Sequence, residues 1–277
     1  MIRILVHAGF YKTGTTSLQA CLSHNRAALS PWFDFCGPGD LRGTGRLAHL
    51  YAARPFPWRR TRFRHSLRAG LARLPAPPSG HLVISRESFT GLLPGHRDWR
   101  GRPVLGFPHA ATLTQIVAAE LSRRFGRSAQ IEFLLTTRAR ESWLASLHGH
   151  LLRSIDMTDD LATFTARFPA DLDPKREATR LAHALAPLPV HIADLETMAA
   201  RREGPAAAVL DLMNVPKDAR TTLSLPTRTN QGQTETQRAA FLTLNRSGLS
   251  RTALKKAKED LLSPISAGFP PRPPAFD

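Results

Sequence analysis

Cysteine, lysine and long apolar runs are all scarce in this chain, and one long stretch has no acid at all. Two cysteines among 277 residues, Cys21 and Cys36, give neither a disulfide framework nor a cysteine-based metal set. No apolar run approaches the roughly 20 residues that span a bilayer as a helix. The first such run (Ile2, Ile4, Leu5, Val6) is too short for a signal peptide. A reducing cytoplasm is the expected compartment. Lysines number 6 against 32 arginines, and Lys12 is the only lysine before Lys175. Between Asp40 and Glu87 there is no acidic residue, while Arg54, Arg59, Arg60, Arg62, Arg64, Arg68 and Arg73 gather near Phe56, Trp58 and Phe63. The net charge of +16 calls for an anionic partner. No helix-turn-helix, zinc site or RNA-binding signature directs that charge to nucleic acid. The aromatic-arginine stretch suits sugars, bases or an anionic lipid surface, and it also suits a plain solvated face.

What the chain does have is a glycine-rich turn between a strand-like and a helix-like run: His7-Ala8-Gly9-Phe10-Tyr11-Lys12-Thr13-Gly14-Thr15-Thr16-Ser17-Leu18-Gln19. Leu18, Leu22 and Leu29 are spaced for one helix face. Strand, glycine-rich loop and helix together aim backbone N–H groups and a helix N-terminus at a phosphate. Gly9 and Gly14 keep the separation of a nucleotide P-loop, and Thr16 takes its Ser/Thr place. The lysine differs: Thr15 occupies its position, and Lys12 lies inside the loop. A lysine in a chain that otherwise uses arginine suggests that a compact ammonium is wanted there.

Lys-Thr-Gly-Thr-Thr-x-Leu resembles the 5′-phosphosulfate-binding loop of sulfotransferases that use 3′-phosphoadenosine 5′-phosphosulfate (PAPS). The tail Ser17-Leu18-Gln19 is similar to bacterial members of that family. The resemblance implies that Lys12 neutralises charge on the bridging and leaving phosphate oxygens. It implies too that the amides of Thr13, Gly14, Thr15 and Thr16, with the hydroxyls of Thr15, Thr16 and Ser17, cradle the 5′-phosphate. A second element, Thr136-Thr137-Arg138 with Ser146 eight residues later, resembles the family's 3′-phosphate-binding element. The chain departs from the family in having Ala139-Arg140 where a proline often follows the arginine. Arg138 and Ser146 are thereby expected to hold a second phosphate away from the Lys12 loop.

Ser85-Arg86-Glu87-Ser88-Phe89 resembles a bacterial segment near the acceptor, which makes Glu87 the candidate base and Arg86 a candidate guide for an anionic acceptor. His49 and His7 compete for the base. His7 lies in the first strand and reads as a hydrogen-bonded structural residue, and His49 reads as a surface residue of a helical stretch. Pro226-Thr227-Arg228-Thr229-Asn230-Gln231-Gly232 resembles, loosely, a late loop that closes over the nucleotide. Asp194 and Glu196 read as helix-cap and packing residues.

Further strands are expected at His81–Ser85, 131–135 and 189–193. Helices are expected at 66–74, 111–125, 140–152, 161–168, 175–185, 205–213, 235–245 and 250–262, with an irregular connection over 37–45. Strands alternating with helices predict an α/β chain, a three-layer P-loop-like fold with a central, mostly parallel sheet flanked by helices. One domain over 1–263 is expected, with an Arg-rich insertion at about 54–80 and a proline-rich tail over 264–277. The expected activity is sulfuryl transfer from PAPS, without a metal, to a hydroxyl or amine, with an anionic glycan or lipid favoured by the charge. The rivals are an ATP-dependent small-molecule kinase and a non-catalytic basic protein that binds anions or nucleic acid.

Overall fold

A computed structural model describes residues 2–225 and 233–262. Short apolar runs become the strands of one sheet. The strands are β1 (Arg3–His7), β2 (Asp34–Cys36), β3 (His81–Ser85), β4 (Gln130–Thr137) and β5 (Val190–Asp194). They form a five-stranded sheet in the order β2-β3-β1-β4-β5, and every pairing is parallel. Ile4, Leu5 and Val6, Leu82, Val83 and Ile84, and Phe133, Leu134 and Leu135 are all buried, as strands covered on both faces require. The chain is therefore α/β, with helices flanking a parallel sheet as in a three-layer P-loop-like fold.

The helices on the N-terminal side of the sequence are α1 (Thr15–His24), α2 (Arg26–Leu29), α3 (Thr44–Ala53), α4 (Pro57–Ala72) and α5 (Ala110–Phe125). After β4 come α6 (Arg140–Ser154), α7 (Leu161–Ala166), α8 (Pro174–Leu185), α9 (Leu195–Ala199), α10 (Ala207–Leu212) and α11 (Lys217–Thr221). The chain closes its described part with α12 (Glu235–Arg246) and α13 (Arg251–Leu262). The described chain falls into two compact units, residues 2–147 with 167–225 and residues 148–166 with 233–262, so the division lies within α6. The first unit holds the whole sheet. In the second, Asn245 donates to the carbonyls of Leu152 and Met157, and Lys258 donates to that of Ile155. Thr234 and Gln237 form a capping box that starts α12.

One face of the sheet is layered from end to end. At the N-terminal end of the strands, Arg3 grips Glu132 with two hydrogen bonds (2.7 and 3.0 Å), and His191 Nε2 lies 2.8 Å from the same carboxylate. In the middle, Leu5, Val83 and Leu134 pack with Leu18, Cys21 and Leu22 of α1 and with Val209 and Leu210 of α10. At the carboxyl end, apolar side chains give way to His7, Ser85 and Thr136, all fully buried. Because side chains alternate across a strand, this polar end follows from sequence position alone.

Two expectations change here. The Arg-rich stretch forms a regular helix, α4, whose Phe63, Leu67, Gly70 and Leu71 are buried and whose neighbours are α3 and α5. Buried Glu120 of α5 ties it down, accepting two hydrogen bonds from Arg68 (both 2.9 Å) and one from Arg123 (2.9 Å). The connection expected to be irregular over 37–45 is flanked by structure at both ends. β2 precedes it, and α3 begins at Thr44, within its last two residues.

Candidate functional site

β1 lies at the middle of the sheet, between β3 and β4, where connections leave in opposite directions. Crevices beyond the carboxyl ends of parallel strands at such a switch point are where α/β sheets bind ligands. The loop from Ala8 to Gly14 leaves β1 there. Its backbone is unusual at two residues: Lys12 has φ 67° and Gly14 has φ 93°, both left-handed. A lysine in that region costs about 1–2 kcal/mol. Alternation of left- and right-handed residues turns successive amides toward one point, the geometry of an anion nest. Gly14 is then the N-cap of α1, and the first intrahelical bond of its turn is Leu18 N–H to Gly14 O (3.1 Å). The amides of Thr15, Thr16 and Ser17 precede that bond and are the ones a helix leaves without internal partners.

Both glycines are required sterically. A Cβ on Gly9 would stand 2.4 Å from Thr136 Oγ1 and 2.5 Å from His7 Nε2. One on Gly14 would meet Leu195 Cδ1 at 2.7 Å and Pro205 Cγ at 2.9 Å.

Beneath the loop runs a buried chain of hydrogen bonds whose direction its two ends determine. Gln19 Nε2 donates to Ser85 Oγ (3.2 Å), and Thr13 Oγ1 donates to the Phe10 carbonyl (2.6 Å). Thr13 Oγ1 has its single proton committed, so it accepts from Thr136 Oγ1 (2.8 Å). Thr136 then accepts from His7 Nε2 (3.2 Å), and His7 Nδ1 accepts from Ser85 Oγ (2.8 Å). His7 is thus a neutral Nε2–H tautomer. Burial alone pushes its pKa down to about 3, so it stays neutral. With both ring nitrogens committed it is a structural residue, as its place in β1 suggests. A buried indole adds a second brace: Trp143 Nε1 donates to the Tyr11 carbonyl (3.0 Å).

The loop side chains divide in two. Thr13 and Thr15 are buried, and Thr15 Oγ1 makes a long contact, 3.5 Å, to Phe10 O. Thr16 is exposed and Ser17 half-buried, so these two carry the accessible hydroxyls. Lys12 is half-buried.

Arg138 leaves β4, which pairs directly with β1 through His7 and Leu134. Its Nη1 reaches the Lys12 carbonyl (3.3 Å), and its Nε donates to Ser142 Oγ (3.0 Å). Arg138 therefore adjoins the loop, where the sequence suggests a separate anchor, because adjacent strands put their exits side by side. The serine in contact with it is Ser142, with Ser146 one helical turn further along α6. Burial lowers the pKa of the guanidinium, and Glu196 of α9 opposes that shift. Glu196 also accepts from the Ala139 amide (3.1 Å), and Ser142 Oγ donates to the Ala139 carbonyl (3.0 Å), which holds the arginine's exit turn in place.

On the β3 side, Glu87 opens a short 3₁₀ turn (Glu87–Thr90), and Gln19 Nε2 donates to its Oε2 (3.0 Å). Gln19 thus connects Glu87 to the buried chain under the loop. Arg86 donates to the Pro38 carbonyl (2.7 Å), while its buried Nε and the buried Ser88 Oγ have no hydrogen-bond partner among the described residues. Both lie beside Gly45, whose missing Cβ would stand 2.8 and 2.9 Å from them. His49 is half-buried rather than a surface residue. It hydrogen-bonds Tyr11 Oη through Nε2, and Tyr11 Oη donates to Gly91 O (3.1 Å). The imidazole is therefore the donor in its bond with Tyr11. Burial lowers the His49 pKa and raises that of Tyr11. The Tyr11–His49 pair carries no sequence signal, since 38 residues separate the partners. The loop over Pro226–Gly232 lies outside the described residues, as does the proline-rich tail.

Strand exits thus bring Lys12, the α1 amides, Arg138, Glu87, Arg86 and His49 around one switch point in the first unit. Comparison with known proteins finds no matching family model, no matching curated protein and no matching solved structure.

Proposed function

We propose that this chain transfers a sulfuryl group from PAPS to an acceptor hydroxyl or amine. The observation that carries the reading is the loop itself: a strained left-handed lysine, a left-handed glycine and the three helix amides ahead of the first intrahelical bond, with an arginine from the next strand against the lysine's backbone. Strain of this kind persists where the surrounding structure over-determines it, and it clusters at ligand sites. Two adjoining cationic anchors suit a ligand that carries more than one phosphate group.

In this reading the 5′-phosphate rests on the amides of Thr15, Thr16 and Ser17 and on the hydroxyls of the last two. Arg138, with Ser142 and Ser146 on one face of α6, takes the 3′-phosphate. The acceptor oxygen attacks sulfur in line, and the bond from sulfur to the bridging phosphate oxygen breaks. The leaving 3′-phosphoadenosine 5′-phosphate keeps the electron pair, and Lys12 stabilises the charge that develops there. The acceptor proton goes to Glu87. His7 is disfavoured as base by its buried ring with both nitrogens bonded, whereas His49, as the Nε2–H donor to Tyr11, keeps Nδ1 as a rival base. Gln19 engages Oε2 of Glu87, and no hydrogen bond to its Oε1 is found among the described residues.

The test is transfer of labelled sulfuryl from PAPS to a panel of hydroxylated acceptors, run with wild type and Glu87→Gln. Transfer by wild type with a kcat about 10²–10⁴-fold lower in the variant is expected. No transfer to any acceptor, together with phosphoryl transfer from ATP, would replace this reading with the kinase.

A further inference from the structure

Away from the nucleotide loop, three of the exposed large apolar side chains of the first unit belong to one small region. They are Leu50 of α3, Trp58 in the first turn of α4 and Trp99 in the turn after β3, with the two indoles 58% and 43% exposed. Phe56 joins the indoles. It stacks on Trp58 with centroids 4.4 Å apart and planes 11° apart, and it meets Trp99 at 5.7 Å.

The cluster is built rather than accidental. The Trp99 amide donates to Ala53 O (3.2 Å), and Arg59 Nη1 donates to Leu50 O (3.0 Å). Asp98 accepts from the amides of Arg100 and Arg102 (2.8 and 2.9 Å) and from the Arg102 guanidinium. These bonds hold Trp99 in a closed turn and pair the charge of Asp98 with Arg102. Around the rings, Arg54, Arg60, Arg62 and Arg100 have no carboxylate partner among the described residues. The first turn of α4 adds the positive end of a 16-residue helix that has no side-chain cap. Unlike Arg68, these guanidiniums play no part in holding α4 to α5.

We infer that this patch docks the protein peripherally on an anionic membrane surface, with Trp58 and Trp99 at headgroup depth and the arginines on lipid phosphates. Indoles prefer that interface because it takes an apolar body and a polar N–H together. One face of each indole is already covered, by Phe56 or by Arg100, whose Cζ sits 4.7 Å from the Trp99 ring, which leaves a sugar or base a single stacking face per ring. The surface uses no residue of the nucleotide site, so it stands or falls separately from the activity.

The experiment is co-sedimentation of the full chain with vesicles of phosphatidylcholine alone or mixed with phosphatidylglycerol. It is run alongside quenching of the protein's tryptophan emission by brominated phosphatidylglycerol. Binding to the anionic vesicles only is expected, weakened by added salt. Arg60→Glu with Arg62→Glu should weaken it by at least about fivefold per residue, and Trp58→Ala with Trp99→Ala should weaken it about tenfold or more with the charge unchanged. Quenching in wild type reports indole insertion even if the double alanine variant does not fold. Absence of binding to anionic vesicles, binding without quenching, or equal binding by a folded tryptophan double variant would each overturn the inference. Tryptophan-dependent binding to a heparin oligosaccharide or a single-stranded oligonucleotide without vesicle binding would do the same.

Discussion

Mild acid should weaken the first unit through His7, because its imidazole cannot take up a proton where it sits. The group is fully buried, with a pKa pushed down to about 3 against 6.5 in an unfolded chain. Between those values the unfolded state binds one more proton than the folded state, so unfolding free energy rises with pH. The penalty is absent above about pH 7 and grows as pH falls through 6.5. At about 1.4 kcal/mol per pH unit, the fall from pH 6.5 to 5 costs about 2 kcal/mol, and the full descent to pH 3 about 4–5 kcal/mol. His7→Gln removes the titration while offering an oxygen to Ser85 and an N–H to Thr136. It should lose about 1–3 kcal/mol at pH 7.5 from imperfect fit, then close that gap as the pH falls. Urea unfolding can be followed by Trp143, which is buried and bonded to Tyr11 O, across a pH series for both proteins. Other histidines whose pKa burial also lowers, such as half-buried His109, contribute equally to both curves and cancel in the difference. A wild-type minus variant difference that stays constant from pH 7.5 to 5 would refute the neutral, network-bound imidazole.

Other perturbations separate the roles of the charged groups. Lys12→Ala should lower turnover with little loss of nucleotide affinity, because its charge partner develops in the transition state; equal losses in both would contradict that role in steady-state kinetics. Arg138→Ala should weaken binding of 3′-phosphoadenosine 5′-phosphate by roughly 2–5 kcal/mol, and unchanged affinity by calorimetry would remove it from the site. Glu120, whose pKa hydrogen bonds from Arg68 and Arg123 lower to about 2, contributes stability that is complete above about pH 4.5 and lost as pH falls through 2. Glu120→Gln should therefore melt lower than wild type at pH 7, by the equivalent of about 1–3 kcal/mol, and the difference should vanish in strong acid.

The fold was largely legible because parallel strands buried on both faces leave unbroken apolar runs, as at Leu82–Val83–Ile84. β2 escaped notice because it is three residues long and begins with Asp34. The first two turns of α4 were hidden by their arginines: Phe63, Leu67 and Leu71 keep helical spacing, but Pro57, Trp58 and a run of cations precede them. In the site, the loop could be read because its chemistry is local, with Lys12, Gly14 and the helix start within a few residues. Ser142 in place of Ser146 against Arg138 depends on a side-chain reach of one helical turn, which spacing cannot rank. The chain of Ser85, His7, Thr136 and Thr13 joins three strands, and only the register reveals it.

The most direct test of the central claim is calorimetry of the full chain with 3′-phosphoadenosine 5′-phosphate in the absence of Mg²⁺, set against ATP with Mg²⁺. The expected result is tight, metal-independent binding of the bisphosphate nucleotide that Arg138→Ala weakens, with ATP binding far more weakly. Tighter binding of ATP that requires Mg²⁺, or no heat with the bisphosphate nucleotide at all, would contradict the reading of the Lys12 loop and Arg138 as a PAPS site.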